Sequence, residues 1–159
     1  MKKKLSGRDA FDFAYSNYTD TLYRVAVHNT REQSDAEDAV QEVFVKLLEK
    51  TRSFKDEEHL KAWLIRVTIN ICHTYYRQSG KTEELPENLP APDMLDFSVL
   101  DYVKALPENY RNAIYLHYFE GYTAQEIADI LSSNQNTVLS WLKRGRELLK
   151  ERIGGFDDE

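Results

Sequence analysis

Three of the four prolines in this chain, Pro86, Pro90 and Pro92, fall within a few residues of one another. Proline has no amide hydrogen to give a helix and its ring clashes with the preceding turn, so no helix crosses this stretch. The long stretches on either side contain one proline and few glycines, and their apolar residues recur at helical spacing. Few turn-forming residues argue against a sandwich or barrel of many short strands. The expected fold is all-α: two small helical domains, residues 7–79 and 96–153, joined by an acidic, proline-containing linker over 80–95.

The first block reads as three helices. Ser6 is placed to cap the first, whose apolar residues are Phe11, Tyr15, Tyr18, Leu22, Val25 and Ala26. Ser34-Asp35-Ala36-Glu37 has the spacing of a capping box, and Ala36, Val40, Val43, Phe44, Leu47 and Leu48 follow as a stripe. A polar loop, 53–58, leads to a third helix with Leu60, Trp63, Leu64, Val67, Ile71 and Tyr75 on one side. In the second block a short helix covers about 97–105. Pro107 opens the next, which stops at Gly121, and Thr123-Ala124-Gln125-Glu126 is a second capping box. A short helix to Leu131, a turn at Ser132-Ser133-Asn134 and a last helix from Gln135 to Ile153 complete a helix-turn-helix pattern.

The net charge of −6 looks wrong for a nucleic-acid binder, but its distribution matters more. Residues 81–101 hold six acidic and one basic side chain, whereas Lys143–Arg152 holds five basic and two acidic. The last helix is therefore locally cationic. On it, Val138, Leu142, Gly145 and Leu149 share the side that should pack on Ile127, Ala128 and Leu131. Asn136, Ser140, Lys143, Arg144 and Glu147 lie opposite, and their donors and acceptors suit base edges and phosphates. The same spacing also fits an amphipathic hairpin whose basic face is only solvated.

Other classes find little support. His28, His59, His73 and His117 show no metal-ligand spacing, and neither a glycine-rich phosphate loop nor a nucleophile motif is present. No enzymatic activity, cofactor or metal is expected. The single cysteine, Cys72, sits among apolar residues and reads as a packing residue. No apolar run is long enough to span a bilayer, and Arg8, Asp9 and Asp12 interrupt any signal-peptide core behind Lys2–Lys4. A soluble, cytoplasmic protein without membrane insertion is expected.

The whole chain, over roughly residues 10–152, resembles the extracytoplasmic-function sigma factors, the minimal branch of the bacterial sigma factor superfamily. The carriers in the first block are Asp35 to Phe44 (DAEDAVQEVF), Ser53-Phe54, Ala62-Trp63-Leu64, Ile65-Arg66-Val67 and Asn70. In the second block they are Leu106-Pro107-Glu108, Tyr110-Arg111, Glu120 to Thr123, Glu126-Ile127-Ala128 and Thr137-Val138. Two motif sets in the right order are far more specific than either alone.

The resemblance implies an alternative sigma factor that binds core RNA polymerase and directs promoter-specific initiation. Its first domain would bind the clamp helices of the largest subunit through Asp35, Asp38, Gln41 and Glu42, residues that a solvated helix face would equally explain. The same domain would open promoter DNA at the minus-ten element through Phe54, Lys55, Trp63, Arg66, Asn70 and Arg77. An aromatic ring and a cation on a loop can hold a flipped base and its phosphate, although Phe54 also reads as a core anchor and Trp63 falls on the apolar stripe. Asn70, a polar amide between Ile69 and Ile71, needs partners. The last domain would dock on the flap of the second-largest subunit and read the minus-thirty-five element through Asn136, Thr137, Ser140, Lys143 and Arg144. Leu139 and Trp141 depart from the family, standing where relatives carry basic residues. An anti-sigma factor is a further implied partner. The rival readings are a stand-alone helix-turn-helix regulator, which leaves the first block unexplained, and an antagonist-binding module of the same fold.

Overall fold

The computed structural model describes residues 4–49, 53–78 and 98–153. The expected linker, 80–95, lies outside them. Among the described residues every regular element is helical: α1 Gly7–Val27, α2 Gln33–Glu49, α3 Glu57–Gln78, α4 Val99–Lys104, α5 Glu108–Tyr118, α6 Ala124–Ile130 and α7 Gln135–Ile153. The chain divides into two units, Met1–Lys81 and Thr82–Glu159. No helix among the described residues is long and apolar enough to cross a membrane.

In the first unit α1, α2 and α3 each pack on the other two. Leu22, Val25, Val43, Leu47, Leu60 and Leu64 are almost wholly removed from water, while Ala10, Ala14, Ala36 and Ala39 let the helix backbones approach. Truncating any of these leucines to alanine typically costs about 2–5 kcal/mol. The buried face of α3 is broader than the expected stripe and turned away from it. Ile65, Thr68, Ile69 and Cys72 are inside, whereas Trp63 and Val67 are only half-buried. A helix wedged against two neighbours needs apolar groups around a wide arc, and the Thr68 hydroxyl enters at no loss because it donates to Leu64 O (2.7 Å).

Two of the expected caps differ. Ser6 occupies the N-cap of α1, but its side chain makes no capping bond. The Ser34 capping box does not form, because α2 already begins at Gln33. The Glu32 carbonyl accepts from the Asp35 and Ala36 amides (3.1 and 3.2 Å), and the Glu37 carboxylate accepts from Gln33 Nε2 (3.3 Å). Ser34 is thereby left inside the first turn, where a cap has no use.

The second unit is built around α5, α6 and α7, with α4 against α5 and α7. The Thr123 capping box forms as expected: Thr123 Oγ1 accepts from the Glu126 amide (3.1 Å) and Glu126 Oε1 from the Thr123 amide (2.8 Å). Ser98 and Asp101 make a second such box at α4. The α5 helix ends at Tyr118, two residues before the expected Glu120. Gly121, at φ +82°, then reverses the chain so that the Tyr122 amide reaches Leu116 O (3.0 Å). Buried Arg111 donates to Leu106 O (2.9 Å), tying α5 to the corner that precedes it.

Candidate nucleic-acid interfaces

The helix-turn-helix is α6, the Ser132-Ser133-Asn134 turn, and α7. Ser132 takes a left-handed conformation (φ +56°), the Ser133 amide returns to Ala128 O (2.8 Å), and Asn134 Oδ1 caps α7 by accepting from the Thr137 amide (2.8 Å). Val138, Leu142, Gly145 and Leu149 are buried, as their spacing predicts. Asn136, Ser140, Lys143 and Arg144 are exposed and Thr137 is half-exposed. At about 100° per residue these polar positions cover the arc opposite the core.

Arg144 does not point freely into solvent. Its Nη1 lies 3.3 Å from Glu147 Oε1 and 3.7 Å from Glu151 Oε2. Each exposed pair is weak by itself, yet both carboxylates compete with any anion that approaches the guanidinium. Of the two departures on this helix, Leu139 is 47% exposed. Trp141 is half-buried and lines a groove of about 470 Å³ with Pro107, Glu108, Asn109 and Tyr110 at the start of α5.

In the first unit Trp63, Arg66, Asn70 and Arg77 fall within about a quarter of the α3 circumference, on the side away from the core. Asn70 is exposed. Its sequence neighbours Ile69 and Ile71 turn to either side into the core, and Asn70 faces outward between them. Asn70 shares a groove of about 560 Å³ with Glu42 and Lys46 of α2 and with Val67, Ile71, Thr74, Tyr75 and Gln78 of α3. Asp38, Gln41 and Glu42 are exposed along α2 and Asp35 is half-exposed. Tyr75 bonds the Glu42 carboxylate, and its hydroxyl ionises above the usual tyrosine range because of burial and then the charges of Glu42, Asp38 and Asp35. The α2 acidic row and the polar face of α3 therefore meet along one seam, which the sequence alone did not reveal.

The Phe54 ring is 2% exposed and packs edge-on to His59 (5.6 Å) and tilted on Trp63 (5.4 Å). Its burial makes Phe54 the core anchor of its loop, one of the two readings its sequence allows. Lys55, next to it, is exposed. The loop is also joined to the chain's beginning. Leu5 and Phe54 form an isolated antiparallel bridge, with the Leu5 amide donating to Phe54 O and the Phe54 amide to Leu5 O (3.1 and 2.6 Å).

One helical unit thus carries a polar helix face beside an acidic row, and the other a helix-turn-helix. Residues 14–82 match the family model of Sigma-70 region 2, and residues 96–149 match that of Sigma-70 region 4. The chain is 27% identical to the RNA polymerase sigma factor SigV of Bacillus subtilis over 96% of both chains. It is 29% identical to the SigM factor of the same organism, covering 93% of this chain and 98% of that one. Among solved structures, the sigma factor RpoE of Bartonella quintana, determined with the anti-sigma factor NepR, superposes with a TM-score of 0.69 at 25% identity, covering 88% of this chain and 95% of that chain. CnrH, solved with the cytosolic domain of CnrY, shares the fold at a TM-score of 0.68 and 21% identity, over 89% and 85% of the two chains. The chain belongs to the extracytoplasmic-function sigma factors. It is an alternative sigma factor that binds RNA polymerase and directs transcription initiation at promoters.

Proposed function

We propose a division of labour between the two units. Asp35, Asp38, Gln41 and Glu42 on α2 dock on the clamp helices of the largest polymerase subunit. The adjoining face of α3 holds the unpaired minus-ten strand, with Asn70 at a base, Arg66 and Arg77 at phosphates, and Lys55 and the exposed edge of Trp63 at the loop end. Phe54 supports Trp63 from behind. The second unit docks on the flap of the second-largest subunit and reads the duplex minus-thirty-five element through Asn136, Thr137, Ser140, Lys143 and Arg144. The protein acts in the cytoplasm by binding alone, without catalysis or cofactor. Since RpoE of Bartonella quintana was solved with an anti-sigma factor, a protein antagonist of this kind is a further partner.

The observation that supports this reading best is the alignment of Trp63, Arg66, Asn70 and Arg77 on one outward face of α3, beside the acidic row of α2. From Trp63 to Arg77 the face runs about 21 Å, long enough to follow several nucleotides of single strand. Permanganate footprinting of open complexes tests it. Asn70→Ala should leave core binding intact and lower the reactivity of minus-ten thymines. Normal melting by this variant would remove Asn70 from the site.

A further inference from the structure

The Ser53–Asp56 loop presents Lys55 to solvent with little freedom in its backbone. Leu5, ahead of α1, bridges Phe54 through both backbone bonds, and its own side chain is buried. On the other side the Lys55 amide donates to His59 Nδ1 (3.0 Å), and Asp56 Oδ1 caps α3 by accepting from the His59 amide (2.9 Å). His59 also packs edge-on to the Phe54 ring. The two residues that lead into the exposed Lys55 side chain are thus clamped from opposite directions, by Leu5 through the main chain and by His59 through its imidazole. Leu5 precedes α1, and the exposed ring of His59 lies outside the α3 core.

We infer that Leu5 and His59 are positioning residues for capture of the unpaired minus-ten strand. They pre-form the loop so that Lys55 and the Trp63 edge meet the strand without first ordering the backbone. The inference rests on the reading of this loop as a strand contact. Fixing a residue's backbone has an entropic cost, so a loop ordered before it binds keeps an advantage that a loose one gives up at each encounter. The advantage is specific to DNA, because neither residue belongs to the α2 surface assigned to the polymerase.

The test measures holoenzyme affinity for a single-stranded minus-ten oligonucleotide, alongside core affinity and helicity of each full-length variant. His59→Leu removes the acceptor for the Lys55 amide, and Leu5→Pro removes the donor to Phe54 O. Each should weaken oligonucleotide binding about fivefold to tenfold and leave core affinity and helicity unchanged. His59→Asn, whose amide oxygen can stand where Nδ1 stood, should restore most of the loss. If oligonucleotide binding is unchanged in His59→Leu and Leu5→Pro while Lys55→Ala weakens it, the positioning role is overturned and the strand-contact reading stands. If Lys55→Ala has no effect either, that reading fails and takes the inference with it. Loss that runs in step with core affinity or helicity overturns the inference too, since it marks a purely structural role.

Discussion

Gly145 of α7 lies directly over Ile114 of α5: a Cβ added at position 145 would stand 2.6 Å from Ile114 Cγ1 and 3.0 Å from its Cδ1. Alanine is worth about 1 kcal/mol more than glycine inside a helix, so helix propensity alone favours Gly145→Ala. The steric term opposes it, since overpacking a core typically costs about 1–3 kcal/mol. The net expectation is a loss of about 1 kcal/mol, read by urea unfolding of the full chain. Ile114→Val made in the Gly145→Ala background should recover part of it, because it removes the methyl at 3.0 Å. An additive double mutant would mean that the two positions do not meet.

The pairing of Arg144 with Glu147 and Glu151 yields a prediction with two opposite signs. Arg144→Ala should cost about 1–3 kcal/mol of duplex binding by the holoenzyme if the contact is to a base. Glu147→Gln should strengthen duplex binding a few-fold, because it removes a competitor for the guanidinium and a charge that repels phosphate. Fluorescence anisotropy with minus-thirty-five duplexes at several salt concentrations checks both. Weakening by Glu147→Gln would show that the carboxylate orients Arg144 and does not compete for it.

Free protein should bind promoter duplex poorly. Leu139 and Trp141 supply no cation, Arg144 is partly neutralised, and the net charge is −6. Specific nanomolar binding by the isolated chain in a gel shift would revive the stand-alone regulator reading.

Reversing charge on α2 separates polymerase docking from stability. Gln41→Lys with Glu42→Lys should weaken pull-down of core polymerase while helicity is retained, because both side chains are exposed. The change at Glu42 also removes the carboxylate bonded to Tyr75, so Gln41→Lys alone serves as the cleaner variant. Unchanged pull-down would remove α2 as the docking surface.

Tyr18 predicts how the first unit responds to alkali. Burial, then the charges of Glu57 and Glu58, push its hydroxyl from 10.0 up to about 12. A proton held more tightly in the folded state costs that state stability as pH rises through the range where the unfolded chain has released it and the folded one has not. The contribution is therefore whole below pH 10 and is lost as pH climbs from about 10 toward 12. In Tyr18→Phe the fall of unfolding free energy over that window should be shallower. Identical slopes in the two proteins would assign the alkaline loss to other groups.

Much of this was legible from local pattern. The helix-turn-helix, the Thr123 box and the two faces of α7 follow from helical spacing and capping chemistry, which act over a few residues. The features misjudged or left open all depend on what lies across the fold. Ser34 has capping chemistry, but the helix start was shifted by the Glu32 carbonyl. Asn70 was judged by its sequence neighbours, which on a helix point elsewhere. Phe54 had two readings, loop aromatic and core anchor, and only its packing on His59 and Trp63 favours the second. Glu42 and Asn70 were assigned to separate tasks on separate helices, and only the packing of α2 on α3 brings them into one groove.

The Leu5–Phe54 bridge joins the two ends of a stretch that contains both α1 and α2. Closing so long a loop is entropically costly, so the bridge should form after the helices have packed and fray before they separate. The amides of Leu5 and Phe54 should then exchange with deuterium by a local opening, well ahead of those buried along α1 and α2. A sigma factor built this way can open the loop that carries Lys55 for an instant without unfolding. That loop, and not the α3 face beside it, would be the first part of the domain to give way on mild heating.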